Sequence, residues 1–127
     1  MEKTPINAPD AVQPAGGYAQ AMLVRDAREL LFISGQIGVD RDNVVGADFA
    51  AQAALVWGNI DAQLRAAGMS KDNLVKVTIF LSDRKYIPEY RATRQAYLGD
   101  RAIALTTIVT GIFDEAWLLE IEAVAAR

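Results

Sequence analysis

Two glutamates near the carboxyl end of the sequence are its clearest candidates for chemistry. Glu120 and Glu122 lie two positions apart in an alternating apolar segment, and a strand would place both side chains about 7 Å apart on one face. At that spacing one carboxylate can bind and activate a water while the other anchors a hydrogen-bond network. Two solvated acids on an exposed strand are the alternative, and burial decides between them because desolvation raises the pKa of a carboxyl group.

A hydroxyl, a glycine and an amide follow a short apolar run at Ser34-Gly35-Gln36. Gly35 would let a ligand approach the backbone, where Ser34 and neighbouring N–H groups could donate to an anionic or carbonyl oxygen. The alternative is an ordinary turn that ends a strand. Lys76 could form a Schiff base if it were desolvated, but a solvated surface lysine is the more common situation.

The composition narrows the possible mechanisms. The chain has 127 residues, no histidine and no cysteine, and a formal net charge of -3. Imidazole and thiolate chemistry, disulfides and the usual zinc sites are therefore excluded, and no motif indicates a metal or a cofactor. The acidic balance disfavours nucleic acid as a partner. No apolar run is long enough for a membrane span and the first residues do not resemble a secretory signal, so we expect a cytoplasmic protein.

The elements that must position these side chains follow from apolar spacing. Residues 1–127 are expected to form one domain, in which residues 1–16 are an N-terminal arm. The pattern predicts strands over residues 18–25, 30–33, 74–81, 103–110 and 117–125, and helices over residues 48–68 and 83–98. The strand at 30–33 is predicted to end at Ser34-Gly35, and Asp48 and Asp83 are the predicted helix caps.

This order predicts an α+β domain with two helices packed on one face of a single sheet. Glu120 and Glu122 would lie on the opposite face, among apolar neighbours such as Trp117 and Leu118. Because that face would otherwise expose apolar groups, we expect self-association to bury it, as a closed ring of subunits.

Several segments together resemble the Rid (YjgF/YER/perchloric-acid-soluble protein) family of imine and enamine deaminases. They are residues 17–21 (GYAQA), 31–38 (LFISGQIG), 57–60 (WGNI), 66–70 (AAGMS), 74–81 (LVKVTIFL) and 119–125 (LEIEAVA). The resemblance implies a chorismate-mutase-like subunit, assembled as a homotrimer with small-molecule clefts between subunits. It implies that Tyr18, Ser34 and Glu120 line the cleft, where Glu120 positions a water that attacks a C=N bond. No cofactor or metal is implied.

One departure from the family pattern concerns the substrate. Where family deaminases hold the substrate carboxylate with an arginine, this chain has Leu105, so we expect it to reject ordinary 2-imino acids. Thr106 and Thr107 remain as hydroxyl donors nearby, and Gly35 would contribute backbone contacts. The predicted pocket shape depends on Leu105 and Thr107 together with Ile112, Phe113 and Trp117. Whether another arginine, such as Arg25 or Arg101, replaces the missing one stays open.

The predicted ligand is therefore a small imine, enamine or related carbonyl compound of less anionic character, and an imine or enamine would be hydrolysed with release of ammonia. Two other functions stay open at this stage. One is a non-catalytic trimer that binds small molecules or acts like a chaperone. The other is an endoribonuclease or translation inhibitor, which the acidic, histidine-free chain disfavours.

Overall fold

Two helices and a four-stranded sheet surround the core in the computed structural model, which describes residues 1–127. The strands are β1 (Glu2–Ile6), β2 (Ala21–Arg25), β3 (Leu30–Ile37), β4 (Leu74–Leu81), β5 (Ala104–Val109) and β6 (Leu119–Ala126). The helices are α1 (Phe49–Ala66) and α2 (Ile87–Leu98), with short 3₁₀ turns at Lys71–Asn73 and Arg84–Tyr86. Neither helix has the length and apolar character needed to cross a membrane.

The main sheet has the strand order β3-β6-β4-β5 and is mixed. β6 pairs antiparallel with both β3 and β4, whereas β4 and β5 are parallel and are joined through α2. The α+β prediction, with two helices on a sheet, is confirmed. The amino-terminal region differs from the prediction, because residues 2–6 form β1, which pairs antiparallel with β2 in a separate two-stranded ribbon. The strand predicted from residue 18 begins only at Ala21.

The core lies between α1 and one face of the sheet. Asp48 caps α1 as predicted, since its carboxylate accepts a hydrogen bond from the Ala51 N–H at 2.9 Å. Side chains spaced three and four apart on α1, among them Val56, Ile60 and Leu64, are completely buried. They pack with the inward-facing residues of β4, which are also fully buried: Leu74, Val77, Ile79 and Leu81.

The third strand does not end at Ser34-Gly35 as predicted. It continues to Ile37, and one extra residue is accommodated between Ile33, which pairs with Ala123, and Gln36, which pairs with Ile121. Such an insertion is a β-bulge, and it interrupts the alternation on which the prediction depended. Ser34 and Gly35 therefore lie within a bulged strand next to β6.

The second helix also starts later than predicted. Asp83 caps the short turn at 84–86, where its carboxylate accepts a hydrogen bond from Lys85 N–H at 2.8 Å. α2 then begins at Ile87 with Pro88 in its first turn, where the missing N–H costs nothing. Because α2 connects the parallel strands β4 and β5, its side chains reach the β5 edge of the sheet.

The sheet face opposite the helices is largely uncovered. It exposes 73% of Phe32, 58% of Leu30 and 44% of Ile108, which are large apolar side chains. We call this surface the open face, and it is the face on which Glu120 and Glu122 lie. An exposed apolar surface of this kind is typical of an association interface.

Candidate functional site

Glu120 and Glu122 project from the open face as the alternation predicts. Leu119, Ile121 and Ala123 between and beside them are buried in the core, so the two carboxylates leave β6 on the other side. In the sheet register Glu120 lies between Ile37 and Phe80. Burial against these neighbours, and then the charge of Glu122, raise the pKa of Glu120 above its ordinary value. A carboxyl group with a raised pKa is suited to proton transfer.

The backbone of Gly35 packs directly against the Glu120 carboxyl group. A Cβ atom at position 35 would overlap Glu120 Oε2 and would lie 2.8 Å from Cδ and 3.0 Å from Cγ of that side chain. Glycine is therefore the residue that allows the carboxylate to rest on the bulge. The bulge in β3 and the side chain of Glu120 are therefore in direct contact at Gly35.

Ser34 borders a cavity of about 290 Å³ on the open face, which we call the Ser34 cavity. Its walls are formed by Phe32, Ile33, Ser34, Lys76, Thr78, Glu122, Ala123 and Val124. Lys76 is exposed, with its Nζ 3.5 Å from Thr106 Oγ1, so this lysine lacks the desolvation that a Schiff-base role would need. The cavity combines a hydroxyl, an ammonium and a carboxylate on a partly apolar floor.

Tyr18 borders a second and larger cavity, of about 660 Å³, at the β5 edge, which we call the Tyr18 cavity. It is lined by Ala15, Gly16, Gly17, Tyr18, Arg91, Arg94, Gln95, Leu105 and Thr107. The N–H of Ala19 donates to the carbonyl of Ile103 at 2.9 Å, and Ala19 bridges to Ala104. These backbone contacts attach the segment before β2 to the start of β5 and fix Tyr18 near Leu105.

A chain of hydrogen bonds connects β5 with α2 in the wall of the Tyr18 cavity. The Tyr90 hydroxyl is 2.7 Å from Thr107 Oγ1, and Arg94 donates to the same hydroxyl oxygen at 3.2 Å. Tyr90 is almost completely buried, with 2% of its surface exposed. Thr107 and Arg94 are therefore held by a side chain that has little freedom of its own.

The predicted site residues fall into two groups within one subunit. Tyr18, Leu105 and Thr107 meet around the Tyr18 cavity, whereas Ser34 and Glu120 are on the open face. Successive residues of a strand point to opposite faces, so Thr106, which is exposed beside Lys76, is separated from both of its neighbours on β5. A single subunit therefore does not assemble the complete set.

The loop between β5 and β6 carries Trp117, whose ring lies 6.3 Å from that of Phe113, and Phe113 is 96% exposed. Neither lines the Tyr18 cavity. The base of this loop is held by Gln52, a buried polar side chain of α1. Its amide donates to Ala116 O at 3.0 Å and to Gly46 O at 3.1 Å, and it accepts from Leu118 N–H at 2.8 Å.

Two arginines in the Tyr18 cavity were not predicted from the sequence. Arg91 and Arg94 line the cavity with Leu105, whereas Arg25 and Arg101 form ion pairs with Glu2 and Asp72 instead. The feature that could have indicated them is α2, the helix that joins the parallel strands β4 and β5. A right-handed crossover places that helix over the sheet, and spacing by three puts Arg91 and Arg94 on one helix face.

Known proteins resemble this chain over almost its full length. The model of the Endoribonuclease L-PSP family matches residues 8–127. Protein mmf2, mitochondrial, of Schizosaccharomyces pombe is 36% identical over 133 residues, with all of both chains covered. The 2-iminobutanoate/2-iminopropanoate deaminase of Escherichia coli is 32% identical over 125 residues, 95% of this chain and 93% of that protein. The crystal structure of YyfB from Yersinia pestis, a Rid family protein of unknown function, has a TM-score of 0.84 at 24% identity and covers 100% of both chains.

Proposed function

Because this chain belongs to the Rid (YjgF) family, described as Endoribonuclease L-PSP, we propose that it hydrolyses the C=N bond of a small imine, or of the enamine that tautomerises to it. The products would be a carbonyl compound and ammonia. The observation that carries this proposal is the Glu120 carboxyl group, which has a raised pKa and rests on the Gly35 bulge beside Ser34.

In the proposed reaction Glu120 takes up a proton and passes it on twice, once in each of two steps. In the addition step the carboxylate takes a proton from water as the water oxygen bonds to the imine carbon, and it passes that proton to the nitrogen. In the elimination step the carboxylate takes the new hydroxyl proton and delivers it to the nitrogen, so that ammonia leaves as the C=O bond forms. Ser34 and nearby N–H groups would polarise the substrate, and Tyr18 would shape the pocket and donate a hydrogen bond.

We propose that the complete site forms between subunits of a homotrimer. Two observations support this assembly: the exposed apolar side chains of the open face, and the separation of Tyr18 and Leu105 from Ser34 and Glu120 within one subunit. A neighbouring subunit would bring its Tyr18 cavity against the open face, and Trp117 would contribute from its loop. Sedimentation analysis should give a mass of three 13.8-kDa chains.

Leu105 determines which imines we expect to be poor substrates. It is half-buried in the wall of the Tyr18 cavity, where it presents no hydrogen-bond donor. A charged hydrogen bond contributes roughly 1.5 to 3 kcal/mol, and a buried charge left without its partner costs roughly 3 to 5 kcal/mol. A compact 2-imino acid, whose carboxylate is attached to the imine carbon, should therefore bind about a hundredfold or more weakly than it would beside an arginine.

The test of the reaction is an ammonia-release assay with a panel of imines generated in situ by amine and amino-acid oxidases. We expect Glu120→Gln to lower the hydrolysis of the best substrate by at least about 100-fold, because it removes the proton-transferring group. Glu89→Gln, which neutralises an exposed acid on α2 outside both cavities, should leave the rate unchanged. Equal rates for the wild type and Glu120→Gln would reject the enzyme and favour a non-catalytic binding protein.

A cytoplasmic location is part of the proposal, and the absence of cysteine supports it by agreeing with a reducing compartment. Because the similar protein mmf2 of Schizosaccharomyces pombe is named as mitochondrial, the location of this protein should be measured directly. Fractionation of the source cells with an antibody to the protein should recover it with the cytoplasmic enzymes, and recovery in another compartment would reject the assignment.

A further inference from the structure

We infer that Arg94, assisted by Arg91, binds an anionic group of the substrate that lies several bonds away from the reacting C=N carbon. This inference rests on the proposed imine hydrolysis and names its substrate class. That class is the imine or enamine of a keto acid whose carboxylate is separated from the carbonyl position by an apolar segment.

Arg94 is held in place by Tyr90, the residue four positions before it on α2. Its guanidinium carbon lies 5.3 Å from the centre of the Tyr90 ring, a cation–π distance, and its Nη1 donates to the Tyr90 hydroxyl. Because Arg94 donates to that oxygen, the hydroxyl proton of Tyr90 is available to Thr107. The guanidinium is thus fixed in orientation while most of its five N–H donors remain available.

Neither cavity arginine has a carboxylate partner in the chain. The ion pairs of the protein join Arg25 to Glu2, Arg101 to Asp72 and Arg127 to Glu29. Arg91 and Arg94 therefore place two positive charges in the wall of one cavity, in a chain whose formal net charge is -3. A fixed guanidinium with free donors facing a cavity matches the geometry of a carboxylate, which it can bind through two parallel hydrogen bonds.

The volume and the mixed lining of the Tyr18 cavity indicate the size of the ligand. Leu105 is on β5 and Arg94 is on α2, so the apolar contact and the charge come from different elements. The cavity volume of about 660 Å³ lies within the range of roughly 300 to 1,000 Å³ that is typical of sites for larger organic ligands. A three-carbon imino acid would leave most of this space empty, whereas a longer chain has room to contact both Leu105 and Arg94, which line the same cavity.

The experiment measures binding, because turnover also depends on Glu120. Stable ketones replace the imines: 5-oxohexanoate, with a distant carboxylate; 2-hexanone, its uncharged analogue; and 2-oxobutanoate, with an adjacent carboxylate. NMR titration of the intact protein should show that 5-oxohexanoate binds at least about tenfold more tightly than either of the others, the smallest gain expected of a charged hydrogen bond. Arg94→Gln should abolish that preference and leave the affinity for 2-hexanone unchanged.

Two further variants test whether the binding preference depends on Arg94 itself and on its contact with Tyr90. Arg65→Gln removes the same charge from an exposed position at the end of α1 and should keep the tenfold preference. Tyr90→Phe tests Tyr90 as a positioning residue: it should weaken binding of 5-oxohexanoate with no change for 2-hexanone, since it leaves the arginine but removes its hydrogen-bond acceptor. A thermal unfolding midpoint within the range of the wild type establishes that each variant is folded.

The outcomes separate this inference from the proposed reaction. Equal affinities for 5-oxohexanoate and 2-hexanone, or a preference that survives Arg94→Gln, would overturn the role of Arg94 whatever the imine assay shows. Retention of the binding preference in a protein that hydrolyses no imine would overturn the proposed reaction and leave the anion site intact.

Discussion

The contact between Gly35 and Glu120 makes Gly35→Ala a sharp test of how the carboxylate is positioned. The added methyl group would overlap Oε2 of Glu120 and approach its Cδ to 2.8 Å and its Cγ to 3.0 Å. Because the clash extends back to Cγ, rotation of the carboxyl group alone does not relieve it, and the side chain must adopt another rotamer. The carboxylate would then leave the bulge.

The expected losses differ greatly between activity and stability. A displacement of about 1 Å in a catalytic group can cost roughly 100-fold in rate, so we expect a loss of at least about that size. The free energy of unfolding should change little. A side-chain torsion strained by about 30° costs about 0.5 to 1.5 kcal/mol, whereas replacing glycine by alanine at an ordinary backbone conformation recovers about 0.4 to 1 kcal/mol. The two nearly cancel, which predicts a Tm shift below about 5 °C.

The assay compares ammonia release by four proteins: the wild type, Gly35→Ala, Glu120→Gln and the double variant. If the methyl group acts by displacing the carboxylate, it should have little further effect once the carboxylate is already absent. Gly58→Ala is the matched control, because a Cβ atom at that exposed helical position meets nothing within 4 Å. This control should keep full activity and gain about 1 kcal/mol of helix stability.

Two results would contradict this role of Gly35. An activity of Gly35→Ala close to that of the wild type would mean that the carboxylate does not need its place on the bulge. A double variant whose loss equals the product of the two single losses would mean that the methyl group acts independently of Glu120, for example by blocking the ligand directly.

Two further predictions concern charge in the site. Glu122→Gln should move the acidic limb of the pH–rate profile to lower pH, because the base form of Glu120 exists above its pKa and the charge of Glu122 is one cause that raises that pKa; an unmoved limb would show that another group controls it. Leu105→Arg should raise kcat/KM for 2-iminopropanoate by about 100-fold or more, because it supplies a charged hydrogen bond to a carboxylate that would otherwise be desolvated without a partner; turnover by the wild type as high as that of the variant would show that Leu105 does not restrict 2-imino acids.

The spacing of apolar residues along the sequence predicted the helices and strands whose buried face is set by their own side-chain period. The cap at Asp48 and the apolar repeat behind it predicted α1, and the alternation over residues 74–81 predicted β4 with its ends correct. The same alternation in the last strand put Glu120 and Glu122 on the face away from the core. In each case the side-chain period of the element is sufficient to identify its buried face.

Long-range packing explains what the sequence did not predict. β1 has no apolar alternation of its own and exists because it pairs with β2. The bulge in β3 requires a partner strand, since an extra residue is defined only against the register of β6. The arginines of α2 became candidates only when the crossover placed that helix beside Leu105, which brings together residues that no local pattern connects.

Gln52 of α1, which holds the base of the β5–β6 loop, determines where the sequence of this loop can vary. Gln52 fixes the loop where it enters β6, and neither Gly38 nor Gly46 has room for a side chain, because an added Cβ would approach atoms of Gln52 within 2.9 Å. The loop tip, with Phe113 in solvent, carries none of that constraint. Mutations can therefore accumulate at the tip while the Gln52 anchor preserves the scaffold, so we expect insertions to be tolerated there and not at position 52.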